Sequence, residues 1–175
     1  MGGSKKRKIG LFGGSFDPPH KGHLKISKIA IRKLHLDELY WIITKKNPLK
    51  NKTFFLLSER IKRSKLLTAK TKKIKVKYLE DKIKSNNSVD LIKYLNKKNK
   101  KTEFLLIIGS DNLVNFHRWK RWKLLTNLVK IVVFSRKGYD KNAKKSVINK
   151  HVKNIIFIKN KLINISSTKI RKKLI

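Results

Sequence analysis

The chain has 175 residues, 39% of them hydrophobic, enough for one domain with a sizeable core. No apolar run reaches the length of a bilayer-spanning helix and no leader-peptide pattern is present, so the expectation is a soluble, cytoplasmic protein without membrane partners. The absence of cysteine excludes disulfides and thiolate metal sites. Lys and Arg number 47 against 10 Asp and Glu, a formal net charge of +37.

Of those 47 cations, 39 are lysines and only 8 are arginines, and the lysines are spread along the whole chain. Two readings stay open: a nucleic-acid binder, or the imprint of an AT-rich coding sequence rich in Lys, Ile and Asn. Base-edge and phosphate-fork recognition favours arginine, so only non-specific nucleic-acid contact is expected. Either way the field draws in anionic substrates, and salt weakens the attraction.

Residues 1–7 read as a flexible basic tail. Lys8 to Phe12 is a short apolar run, a first strand buried on both faces. Gly22 to about Leu36 carries Ile26, Ile29, Ala30 and Leu34 on one helical stripe. Glu38 to Thr44 is a second strand, followed by a loop over residues 45–52. Ser58 is a candidate N-cap for the next helix. Lys73 to Leu79 alternates Lys with apolar residues, which predicts a strand with one wet face near a sheet edge.

Ser88 to Asn96 predicts a helix, and Glu103 to Ile108 a buried strand running into Gly109-Ser110-Asp111. Asn112 to Leu128 reads as helix in two pieces. Lys130 to Arg136 is another strand, residues 138–151 are weakly helical, Asn154 to Ile158 is a last strand, and a short helix begins at Ser166. Strands alternate with helices throughout. This predicts a single α/β domain over residues 1–175: a doubly wound, mainly parallel sheet with helices on both faces. Ligands of such sheets bind beyond the carboxyl ends of the strands. Residues 13–23, 45–50, 109–111 and 136 all follow predicted strands and can converge there.

The most informative stretch is Gly13-Gly14-Ser15-Phe16-Asp17-Pro18-Pro19-His20-Lys21-Gly22-His23. A strand, a glycine-rich turn and a helix start bring backbone N–H groups to a phosphate. His20 and His23 share one helix face, and Gly22 between them leaves the backbone open to close approach. No Gly-Lys-Ser/Thr follows, so the turn is not a P-loop. A second stretch, Ile165-Ser166-Ser167-Thr168-Lys169-Ile170-Arg171, puts three hydroxyls at a helix start and an arginine one turn in. The hydroxyls suit capping or anion binding, and the arginine suits phosphate oxygens.

Together these stretches resemble the two signatures of the H-x-G-H nucleotidyltransferases, a Rossmann-like superfamily. The resemblance implies transfer of a nucleotidyl unit from a nucleoside triphosphate. His20, His23 and Arg171 would act on the phosphates. ATP would lie against Gly13, Gly14, Ser15, Phe16, Lys21, Gly22, Gly109, Asp111, Ser166, Ser167 and Thr168.

The run from Gly109 through Trp119 is similar to the G-x-D-x-L-x-x-F-x-x-W segment of bacterial nicotinate mononucleotide adenylyltransferases. By that resemblance Trp119 stacks on the pyridine ring and Asp111 touches ATP. Asn87 and Ser88 stand at the helix start that holds the nicotinate carboxylate, where the family usually has tyrosine and threonine. Asn47 and Lys50 fall in the loop that covers the acceptor, while Lys120 and Arg136 complete the acceptor side.

The implied reaction joins ATP and nicotinate mononucleotide, with Mg²⁺ carried by ATP and no protein metal site. Rival readings are a nicotinamide mononucleotide or phosphopantetheine adenylyltransferase. A reading of another class is a lysine-rich RNA-associated protein with an inactive nucleotidyltransferase fold. The sequence carries no reading of oligomeric state.

Overall fold

A computed structural model of the chain describes residues 6–46, 52–153, 155–161 and 165–174. The first half runs β1 (Arg7–Gly14), α1 (Lys21–Lys33), β2 (Glu38–Ile43), α2 (Leu57–Thr68), β3 (Ile74–Lys77), α3 (Glu80–Ile83) and α4 (Ser88–Lys98). The second half runs β4 (Thr102–Gly109), α5 (Ser110–Val114), α6 (Trp122–Leu128), β5 (Lys130–Phe134), α7 (Asp140–Lys144), α8 (Val147–His151), β6 (Ile156–Ile158) and α9 (Ser167–Arg171). A 3₁₀ turn at Phe116–Arg118 lies between α5 and α6.

Among the described residues the strands form one sheet in the order β3-β2-β1-β4-β5-β6, every pair parallel. Period-two alternation divides its residues between two cores. Ile9, Leu11, Leu106, Ile108, Ile131 and Val133 face α4, α6, α7 and α8. Leu39, Trp41, Leu105, Ile107, Val132 and Phe134 face α1 and α2. The expected doubly wound α/β sheet is therefore present.

The alternating Lys-Ile/Val strand is an edge, as its pattern predicts. At the opposite edge, β6 shows only its last three residues of the expected run, with Asn154 outside the described residues. Helix α1 stops at Lys33 rather than Leu36, because His35 enters the left-handed region (φ 51°) and turns the chain so that Leu36 is buried.

The Ser58 cap is a correction. Helix α2 begins at Leu57, two residues earlier than such a cap implies; its N-cap position is Leu56, and no side chain caps it. Arg60, within the first turn, instead fastens the entry by donating from Nε to the Phe55 carbonyl.

The register sets the site. Phe12 lies opposite Ile107 and Gly109 opposite Phe134, so the carboxyl ends of β1, β4 and β5 form a row. β1 and β4 are the neighbours between which the strand order reverses. This is the crevice where such sheets bind ligands.

Candidate active site

Strand β1 runs two residues past the expected end, so Gly13 and Gly14 lie inside the sheet, opposite Ile42 and Ile43. The chain then turns sharply at Phe16, a bulky residue with φ of 46°. A non-glycine residue held there costs on the order of 1–2 kcal/mol. Packing offsets the strain: Phe16 is buried and stacks on Trp41, ring centroids 4.6 Å apart. On its other contacts Phe16 meets His23 at 4.9 Å. The buried Trp41 indole donates to Ser27 Oγ (2.7 Å), and Ser27 Oγ donates to the His23 carbonyl (2.9 Å). Core packing thus fixes the second histidine.

The two histidines also build the helix start themselves. His20 is the N-cap of α1, and its Nδ1 accepts from the Gly22 N–H at 3.1 Å. His23 Nδ1 accepts from the His20 N–H at 3.2 Å, and the rings stack 3.8 Å apart. A ring nitrogen that accepts carries no proton, so each neutral imidazole holds its hydrogen on Nε2. Both rings are preset as Nε2 donors.

Burial first, and then the Arg136 guanidinium, pushes the His20 pKa down to about 4. His20 is therefore neutral near pH 7.

The expectation that Gly22 leaves its backbone open to a ligand is corrected. A Cβ there would lie 2.8 Å from the His20 ring and 2.9 Å from Ile165 Cγ2. His20 and the start of the C-terminal signature occupy that space, and the glycine is what lets them close together.

The two signature stretches meet. Ser166 caps α9 by accepting from the Lys169 N–H. Ser167 Oγ donates to the Pro18 carbonyl at 2.9 Å. Arg171 donates from Nη1 to the Asp17 carbonyl and from Nη2 to Thr168 Oγ1. Capping is one hydroxyl's work; the others, with Arg171, tie the C-terminal helix to the first turn. Lys21 is exposed at the start of α1.

At the end of β4, Asp111 folds its carboxylate back over Gly109, within contact of where a Cβ would stand. Its Oδ2 pairs with Arg136 Nη1 at 2.6 Å, while Oδ1 is buried without a hydrogen-bond partner. Arg136 therefore pairs with Asp111 while its charge also acts on His20. Its own N–H donates to Ser110 Oγ and to Asp140 Oδ1, both at 3.0 Å.

A second cluster forms at the start of α4. Asn87 is its N-cap, accepting from the Asp90 N–H at 3.0 Å and donating to the Asp90 carboxylate. Arg121 pairs with Asp90 at 3.5 Å, which draws the Trp119 segment to this helix start, where Ser88 is half-buried. Trp119 is half-buried, and its ring stacks on the buried Phe116 at 4.7 Å. Trp122 packs on the same core and meets His151 edge-on. Lys120 is exposed. Asn47 and Lys50 lie outside the described residues.

Sequence reasoning missed three residues. Arg60 is 1% exposed and donates to four main-chain carbonyls. The buried Asp17 carboxylate accepts from the Phe54 and Phe55 N–H groups at 2.7 and 2.8 Å. Buried Ser110 pins the end of β5 through Arg136. Asp17 had one signal, its scarcity as an acid in a motif loop. Arg60 and Ser110 bond to main chain far off in sequence, and no local pattern marks that.

The fold and site define a nucleotide-handling α/β protein of the H-x-G-H type. Residues 11–173 match the family model described as Cytidylyltransferase-like, and the chain belongs to that family. The chain is 48% identical over 172 residues to the "Probable nicotinate-nucleotide adenylyltransferase" of Pelagibacter ubique (strain HTCC1062), covering 96% of this chain and 94% of that one. It is 39% identical over 136 residues to the protein of the same name from Erythrobacter litoralis (strain HTCC2594), 78% of this chain and 62% of that one.

In fold it is similar to the nicotinic acid mononucleotide adenylyltransferase of Plasmodium falciparum complexed with NaAD. The TM-score is 0.76 and the identity 22%, over 95% of this chain and 83% of that one. It is also similar in fold to the "Putative Nicotinate-nucleotide Adenylyltransferase" of Vibrio parahaemolyticus, with a TM-score of 0.62 at 19% identity, over 96% of this chain and 86% of that one.

Proposed function

We propose that the chain transfers the AMP unit of ATP to nicotinate mononucleotide, giving nicotinate adenine dinucleotide and pyrophosphate, a step in NAD biosynthesis. The observation that carries this reading is the junction of Asp17 and Pro18 with Ser167 and Arg171, which joins two phosphate-type motifs into one surface. The relatives' shared name supports the choice of acceptor.

An oxygen of the mononucleotide phosphate attacks the α-phosphorus of ATP. A new P–O bond forms there, and the bond to the β-phosphate oxygen breaks to release pyrophosphate. The attacking phosphate is ionised near neutral pH, so no general base is required. The protein's task is to align two anions and to stabilise charge on the equatorial and leaving oxygens. His20 and His23 supply Nε2–H donors, and Arg171 keeps further N–H groups beyond those given to Asp17 and Thr168. The turn at Gly13, Gly14, Ser15 and Phe16, with Lys21 and the α9 hydroxyls of Ser166, Ser167 and Thr168, lines the ATP side, and Gly22 serves it by letting the His20 ring and Ile165 close together. Beyond Gly109, the unpartnered Oδ1 of Asp111 accepts a hydroxyl or amine of the nucleoside.

Mg²⁺ enters as the complex with ATP, held by phosphate oxygens and water. Among the described residues no group of three or more His, Cys, Asp or Glu is placed to hold a metal ion. No helix among them is long and apolar enough to cross a membrane. On the acceptor side, the first N–H groups of α4 at Asn87 and Ser88 face the nicotinate carboxylate. The indole of Trp119 stacks on the ring. Lys120, Arg136 and the loop of Asn47 and Lys50 answer the acceptor's phosphate.

Incubation with ATP, Mg²⁺ and a panel of acceptors tests this. Nicotinate mononucleotide should yield dinucleotide and pyrophosphate in equal amounts, with the amide much less efficient. Preference for nicotinamide mononucleotide or phosphopantetheine would overturn the acceptor, and RNA binding without ATP consumption would overturn the enzyme.

A further inference from the structure

Arg60 is a charged side chain 1% exposed, in a chain with cations to spare on its surface. Burying it is unfavourable unless its donors are met. Four of its five N–H donors are met, by main-chain carbonyls from three separate segments. Nη1 donates to Ser15 (2.7 Å) and Thr44 (2.8 Å), Nη2 to Lys45 (2.8 Å) and Nε to Phe55 (3.1 Å). Ser15 belongs to the phosphate turn. Thr44 and Lys45 begin the loop after β2, and Phe55 lies where that loop rejoins α2.

Carboxylates complete each end. Glu80 Oε2 accepts from the Lys45 N–H at 3.1 Å, and Asp17 accepts from the Phe54 and Phe55 N–H groups. Arg63 stacks over the Phe55 ring at 4.4 Å. Thr44 and Lys45 at one end and Phe54 and Phe55 at the other are thus clamped, and among the described residues the one side chain that reaches both ends and the phosphate turn is Arg60.

We propose that Arg60 is a positioning residue that holds the end of β2 at Thr44 and Lys45 and the entry to α2 at Phe55 in register with the triphosphate turn, so that the mononucleotide phosphate meets the α-phosphorus in line. This rests on the reading of the 45–52 loop as the acceptor's loop. The ATP side has ties that do not involve Arg60: Ser167 to Pro18, Arg171 to Asp17, and Trp41 through Ser27 to His23. Loss of Arg60 should therefore fall on the acceptor. Lysine, with one ammonium in place of a planar fork, cannot reach three segments at once.

Two measurements on Arg60→Lys and Arg60→Gln decide it, with Glu80→Ala as a milder loosening of the Lys45 end should the buried variants fold poorly. In amide hydrogen exchange without substrates, the Lys45, Phe54 and Phe55 N–H groups should exchange at least tenfold faster in the Arg60 variants, while β4 and β5 keep their protection. In Glu80→Ala the change should fall on Lys45. In steady-state kinetics, KM for the mononucleotide should rise at least tenfold and KM for ATP less than threefold, with partial recovery in lysine over glutamine. Unchanged exchange at those amides overturns the tether. Equal rises in both KM values, or a lowered Tm with neither KM moved, overturn the positioning role. If the unmodified enzyme makes no dinucleotide, the functional reading fails and the exchange result still decides the tether.

Discussion

His20 does two things at once, and they pull its chemistry one way. As N-cap it must present an unprotonated Nδ1 to the Gly22 N–H, and burial with Arg136 nearby keeps the ring neutral. Its pKa lies near 4 when folded and near 6.5 when unfolded. Between those values the unfolded chain takes up a proton that the folded chain refuses. The residue therefore makes the fold less stable as pH falls from about 6.5 towards 4, and has no pH-dependent effect above 6.5.

His20→Asn keeps a good N-cap and removes the titration. Its Tm should fall less than the wild type's between pH 7 and pH 5; an equal fall would show that His20 does not titrate as the geometry requires. Gly22→Ala is the complementary change. Its Cβ must displace the His20 ring or Ile165, an overpacking penalty of about 1–3 kcal/mol. Turnover should drop at least tenfold while the folded protein persists, and full turnover would deny the close fit.

At the scale of elements, strand and helix order was legible because hydrophobic period is a local signal. The apolar Glu103–Ile108 run, the Lys/Ile alternation of the β3 edge and the helical stripe after Gly22 all lie where their spacing put them. What spacing could not show was how loops are held. Arg60 sits in an ordinary helical pattern, yet its partners lie 5 to 45 residues away. The same limit hid how α2 is entered, since Asp17 and Arg60 hold Phe54 and Phe55 there and Ser58 does not cap the helix. The N-cap role of His20 was invisible for a different reason: histidine is not among the usual capping residues.

The Trp119 segment makes an element-scale prediction. Phe116 supports one side of the indole, and the Arg121–Asp90 pair brings the segment to α4. Trp119→Ala should raise KM for nicotinate mononucleotide about tenfold, the equivalent of roughly 1.4 kcal/mol of stacking, with KM for ATP little changed. A fall in Tm with both KM values intact would make Trp119 a core residue only.

For the molecule as a whole, charge and architecture are divided between two residue types. Among the described residues, five of the six ion pairs use arginine, although lysines outnumber arginines 39 to 8. Arg60 adds its four carbonyls. Arginine's planar fork orders the structure, while most lysines contribute field. A net charge of +37 repels itself and attracts ATP. Raising KCl from 50 to 500 mM should therefore raise Tm and lower kcat/KM for ATP, with kcat nearly constant. A kcat/KM indifferent to salt would show that the surplus charge does not reach the site.

That field acts on a site made by closing the chain's two ends together, and the pairing of Asp17 with Arg171 spans 154 positions of sequence. The most direct test measures pyrophosphate release from ATP and nicotinate mononucleotide in His23→Ala, Arg171→Ala and the double variant. Each single change should cost at least a hundredfold in kcat/KM, about 2.7 kcal/mol, and the double variant should lose less than the product, since the two act as one grip. Turnover unchanged by either substitution, in protein that remains folded, would contradict the account.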